Sequence, residues 1–143
     1  MRTEVDIIEL LERDHQRIRD LAERLDSVAD TEEIRDLYRQ IVDGLLAHEA
    51  IENQVLFPAF REMFDTDGGL IEQRSGEHDE LNGLLAEMRG LDAADYAFTK
   101  RGSALLLEME GHFAEEETTV FTPMRERLSP DRLLELGRQA FAV

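Results

Sequence analysis

Six side chains have the types and spacing of a metal site: His15, His48, Glu52, His78, His112 and Glu116. His48 precedes Glu52 by four residues, and His112 precedes Glu116 by four. On a helix each pair is one turn apart on one face and can point at one spot. Imidazole and carboxylate without sulfur suit iron, with manganese and zinc as competitors. Two glutamates carry two negative charges and enough oxygens to bridge two cations, and four imidazoles then cap the ions, two each.

Each histidine taken singly reads as an ordinary hydrogen-bonded core residue, because all four lie on stripes that are otherwise apolar. For the set, the competing reading is a salt-bridged polar layer in an ordinary bundle. Six polar groups meeting in a core cost free energy if left unpaired. A metal removes that cost by taking up the imidazole lone pairs and the carboxylate charge.

Helices must position these groups. Ile8, Leu11, His15, Ile18, Ala22 and Leu25 recur at steps of three or four, as one helix face does. A second stripe runs through Ile34, Leu37, Ile41, Leu45, His48, Glu52, Val55 and Ala59. A third uses Ile71, His78, Leu81, Leu85 and Met88, and a fourth Phe98, Leu105, Met109, His112, Glu116 and Val120. No useful stretch alternates with period two. The class is all-α.

Punctuation separates the stripes. Asp30 reads as an N-cap with Glu33 three residues later, Gly68-Gly69 and Gly90-Leu91-Asp92 as breaks, and Ser129-Pro130 as the start of a last helix. Pro58 and Pro123 are expected to kink or end their helices. Four long helices with short connections predict an up-down-up-down antiparallel four-helix bundle over about residues 4–128, with a short C-terminal helix over about 130–140, in one domain spanning 1–143. The halves also repeat. His15 and His78 are 63 apart, and His48 and His112, like Glu52 and Glu116, are 64 apart. A phenylalanine stands nine residues after His48 and again after His112, while the prolines are out of phase by one. The pattern is that of a duplicated helical hairpin.

Composition narrows the class of function. The 143 residues hold 33 acids against 16 bases, a net charge of −17, which argues against a nucleic-acid surface. Cysteine is absent, which excludes disulfides, thiol nucleophiles and iron–sulfur ligation. No apolar run is long enough to span a bilayer, and the start of the sequence lacks a secretory signal, so the expected location is cytoplasmic.

The series His15, His48-x-x-x-Glu52, His78, His112-x-x-x-Glu116 resembles the haemerythrin-like (HHE) cation-binding domain of bacterial type, over about Asp6 to Leu128. The run His48-Glu49-Ala50-Ile51-Glu52 through Leu56-Phe57-Pro58 is similar to the second helix of that family. The resemblance implies a non-haem di-iron centre of two iron ions, solvent- or oxo-bridged, with Glu52 and Glu116 bridging and the histidines as terminal ligands. Oxygen carriers of the family have a fifth histidine one turn after the third-helix ligand, where this sequence has Asn82. The expected centre therefore keeps an extra open position. That favours reaction with hydrogen peroxide, nitric oxide or dioxygen over oxygen transport. A ferritin-like site needs Glu-x-x-His on two helices, and only Glu12-x-x-His15 fits.

The leading expectation is a catalase-like oxidoreductase that detoxifies peroxide, with no catalytic residue beyond the metal ligands. The alternative is a module that reversibly binds oxygen or nitric oxide, or senses iron or oxygen, without turnover. Sensors of the family are usually fused to another domain, and only about fifteen residues follow the bundle here. Iron storage or delivery ranks lower, since repair-type relatives carry a cysteine-bearing N-terminal region. Glu49, Glu115 and Glu117 flank the ligands and could orient the imidazoles, but on so acidic a chain the preferred reading is solvated face, while Met63, Met88, Met109 and Met124 read as core filler. Gly44 and Gly111 either open a path for a diatomic or relieve helix crowding, and Tyr38 is too far along its helix to ligate.

Overall fold

The structure is a computed structural model that describes residues 4–64 and 69–143. Helix α1, Ile7–Arg24, closes in one 3-10 turn, Leu25–Ser27. Helix α2, Thr31–Ile51, passes through a π-helical turn, Glu52–Leu56, into α3, Phe57–Met63. Helix α4 spans Leu70–Met88. Helix α5, Tyr96–Glu116, passes through a second π turn, Glu117–Phe121, into α6, Thr122–Arg127. These elements make four rods, and a last helix, α7, Pro130–Phe141, packs against α1. The architecture is the expected all-α antiparallel bundle with a terminal helix. Among the described residues, no helix is long and apolar enough to cross a membrane.

The helix starts follow the local chemistry of the sequence. Asp30 accepts from the Glu33 N–H at 3.2 Å, and Ser129 accepts from the Arg132 N–H at 3.1 Å with Pro130 in the first turn. Asp6 caps α1 in the same way, at 2.8 Å from the Glu9 N–H. Gly69 precedes α4 at φ 83°, a backbone state that favours glycine, while Gly68 lies outside the described residues.

Each proline coincides with an interruption of its α-helix. Neither Pro58 nor Pro123 ends its rod. The Phe57 N–H bonds the Glu52 carbonyl, and the Thr122 N–H bonds the Glu117 carbonyl, each five residues back. An α-helix would press the proline ring onto a carbonyl four residues earlier; the wider π turn makes room for it. Thr122 Oγ1 also donates to the Glu117 carbonyl at 3.0 Å. Each π turn begins six residues before its proline, so the one-residue offset between the prolines reappears as an offset between the turns.

Two apolar layers fill the bundle. One gathers Ile8, Leu11, Val55, Phe57, Ile71, Val120, Phe121 and Met124 beneath Leu133 and Leu136 of α7. The other gathers Ile18, Ile41, Leu45, Leu81, Leu85, Leu105, Met109 and Phe113. Along every rod the histidines fall between members of the two layers. The four methionines are core or packed against it, as expected, and Tyr38 sits edge-on to Phe98 in the second layer. Gly44 lets α2 approach α1, since a β-carbon there would lie 3.2 Å from Ile18, whereas Gly111 faces open space.

Gly137 sets how closely α7 docks, because a β-carbon there would overlap the Val5 carbonyl oxygen. Gly137→Ala is therefore expected to destabilise the chain by about 1–3 kcal/mol despite a better helix former. Gly83→Ala, in α4 with nothing near its β-carbon, is expected to stabilise it by about 0.5–1 kcal/mol. Urea unfolding of the two variants checks both signs; stabilisation by Gly137→Ala refutes the close docking.

Candidate metal centre

The fold brings all six expected residues together. His15 comes from α1, His48 from α2, Glu52 from the first π turn, His78 from α4, and His112 and Glu116 from α5. Each is 0–3% exposed, between the two apolar layers. All four imidazoles turn Nε2 inward. The Nε2 atoms of His15 and His48 face each other at 2.9 Å. Glu52 reaches both halves, with Oε2 3.1 Å from His48 Nε2 and Oε1 2.8 Å from His78 Nε2. Glu116 does the same, with Oε1 3.2 Å from His15 Nε2 and Oε2 3.5 Å from His112 Nε2. Two four-donor groups result, His15–His48–Glu52–Glu116 and Glu52–His78–His112–Glu116, sharing both carboxylates.

The donors fit a pair of cations. Glu52 Oε2, both Glu116 oxygens and His112 Nε2 are buried yet make no hydrogen bond. Buried carboxylate oxygens in that state are costly, and cations between them satisfy every one. The electrostatics agree. Burial alone raises both carboxyls, but the His48 charge holds Glu52 well below the usual range, and Glu116, facing charged Glu52, stays raised. Burial opposes charge on the imidazoles, yet Glu52 and its neighbours lift His48 well above its ordinary value and His112 to about 9. The same pull of the carboxylates that favours a proton on His48 and His112 would favour a cation between them.

A second ring of groups stands behind the imidazoles; of its members the sequence reading raised only Glu117, as the less favoured alternative, and missed Asp14 and Glu77. His15 Nδ1 pairs with Glu117 at 2.7 Å, His48 Nδ1 with Asp14 at 3.2 Å, and His112 Nδ1 with Glu77 at 2.6 Å. Such contacts set which imidazole nitrogen faces the metal. Arg19 holds Glu117 through both terminal nitrogens, at 2.9 and 3.1 Å, and Arg74 lies 3.3 Å from Glu77. Glu117 is thus not solvated face but a histidine partner; burial raises its carboxyl, and Arg19 and His15 bring it below the usual range. Glu49 is not solvated face either. It is buried, accepts from the Asn82 amide at 3.3 Å, and leaves Oε1 without a hydrogen bond. Its carboxyl is raised by burial against the pull of His78 and His112, which places it on their side of the centre. Glu115 is exposed, as expected. One sequence signal pointed at this ring: an acid directly precedes the first histidine of each half, Asp14 before His15 and Glu77 before His78.

The arrangement has counterparts among known proteins. The crystal structure of a Hemerythrin HHE cation binding domain-containing protein from Mycobacterium kansasii superimposes with a TM-score of 0.79, covering 96% of this chain and 84% of that one at 21% identity. A DNA nickase from Nostoc sp. is 26% identical over 129 residues, 90% of this chain but 36% of the nickase, so the chain spans about a third of that relative. The Hemerythrin HHE cation binding domain profile matches residues 6–123, a span that holds all six inward-facing side chains, and this chain belongs to that family.

Proposed function

We propose that this chain binds two iron ions, with His15 and His48 holding one, His78 and His112 the other, and Glu52 and Glu116 bridging them, and that it consumes hydrogen peroxide. One observation carries the reading: two buried four-donor groups share both carboxylates, and three of the four carboxylate oxygens make no hydrogen bond. When bound, such a metal pair supplies the two-electron exchange that turns two hydrogen peroxide molecules into two waters and one dioxygen.

The residues around the donors differ between the two sides of the centre. Phe113 stacks on His15 with centroids 3.8 Å apart, and the Arg19 guanidinium lies 5.5 Å from the Phe113 ring. Those two groups cover the His15 side. Toward His78 and His112, exposed Asn82 overlies buried Glu49. Glu49 Oε1 is buried and makes no hydrogen bond, which leaves an acceptor for a small protic molecule held beside the centre. Asn82 itself is engaged with Glu49, in keeping with an open position beside His78.

DNA cleavage is not carried over from the nickase. The net charge is −17, and surface arginines Arg61, Arg101 and Arg138 pair with Glu72, Glu87 and Glu4, leaving them poor phosphate contacts.

Chain purified after iron supply is expected to carry about two irons by elemental analysis, and His112→Ala markedly less. Stoichiometric iron in that variant removes His112 from the ligand set. The loaded protein is expected to evolve oxygen from hydrogen peroxide beyond an iron-salt control. No such oxygen, together with a stable reversible adduct of dioxygen or nitric oxide, would make the centre a binding module. Stripping the metal with a chelator should lower the Tm, since a ligand at a hundredfold excess over its Kd stabilises by about 2.7 kcal/mol. An unchanged Tm would mean that the buried donors do not hold the ion.

A further inference from the structure

We propose that the two cation subsites are unequal: the one at His15 and His48 fills first and holds its ion more tightly than the one at His78 and His112. The inference rests on the metal-binding reading above and comes from the outward-facing nitrogens of the four imidazoles.

At the first subsite both histidines are backed by carboxylates. His15 Nδ1 donates to Glu117, which is itself clamped by Arg19, and Arg19 is tied to Glu110 at 2.8 Å. His48 Nδ1 donates to Asp14. Each contact holds a proton on Nδ1 and so leaves the inward Nε2 position to serve a cation. The second subsite has half of this support. His112 Nδ1 donates to Glu77, but His78 Nδ1 is buried with no hydrogen-bond partner.

That orphan atom has a consequence for binding. Neutral His78 is satisfied when its proton sits on Nε2 and is donated to Glu52 Oε1 at 2.8 Å. A cation at the second subsite needs the Nε2 lone pair, so the proton must leave or move to Nδ1. There it becomes a buried N–H without an acceptor, which is unfavourable. Filling the first subsite incurs no such loss.

The difference is written into the repeat. With the 63- and 64-residue offsets, Glu117 corresponds to Asn53, Phe113 to Glu49 and Arg19 to Asn82. Asn53 is exposed and supplies no partner to His78. Where the halves agree, as at Asp14 and Glu77, the supporting contact is present in both. The duplicated hairpin thus departs from symmetry at the groups that stand behind or beside the first histidine of each half.

Anaerobic calorimetric titration of the metal-free full chain with ferrous ion tests the ordering. Two binding steps are expected, separated by at least about tenfold, the range by which outer hydrogen-bond partners alter metal affinity. His78→Ala should keep the tight step and lose the weak one, and His15→Ala the reverse. Glu117→Gln, which preserves size, should weaken only the tight step by about 10–100-fold, and Glu77→Gln only the weak one. Unchanged far-ultraviolet dichroism confirms that each variant is folded. A single step of two equivalent ions, or a Glu117→Gln protein with both steps unchanged, overturns the ordering while leaving metal binding intact. Absence of any uptake overturns the metal reading itself.

Discussion

The structure turns on the burial of two carboxylates at the centre of a small bundle. Glu52 and Glu116 are fully enclosed, and like charges so placed repel each other and forfeit their hydration. The surrounding groups answer in alternating sign. Four imidazoles face the carboxylates, acids at 14, 77 and 117 face the outer imidazole nitrogens, and Arg19 and Arg74 face two of those acids. Each ring opposes the charge of the one inside it; Arg19 is partly exposed, while Arg74 is itself buried.

The π turns belong to the same construction. In an unbroken α-helix nine residues turn about 900°, which would put Phe57 on the face opposite His48, and Phe121 opposite His112. One residue taken up in a wider turn brings each ring back to roughly 80° from its histidine. Phe57 then stacks at 5.6 Å from His78, and Phe121 at 5.3 Å from His15, closing the centre from one apolar layer. The prolines mark where the widening occurs, while the glutamates stand at its edge, still one α-turn from their histidines.

The Mycobacterium kansasii protein shares this bundle at 21% identity, so what passes between the two chains is the fold. The two histidine pairs differ where the repeat departs from symmetry. Phe113 and Arg19 cover one histidine pair, and Glu49 with Asn82 border the other. A repeat supplies two equivalent scaffolds cheaply in sequence, and a few substitutions then surround the two sides with different groups.

Much of this was legible before any coordinates. Helical spacing, the caps at Asp30 and Ser129, and the His-x-x-x-Glu pairs are local properties, governed by 3.6 residues per turn and by the first few N–H groups of a helix. They determine by themselves the all-α class and the six side chains that share a buried layer. The prolines signalled a disturbance of each helix but not its form, since a π turn and an outright end satisfy the same local rule. Glu117 and Glu49 did mislead. Among 33 acids, nothing local distinguishes the one that folds against an imidazole 102 residues away from those that stay in water. Sequence periodicity chose the face that each helix buries. Only the packing of four rods decided which carboxylate stands behind which histidine, because those contacts join residues that the chain itself keeps far apart.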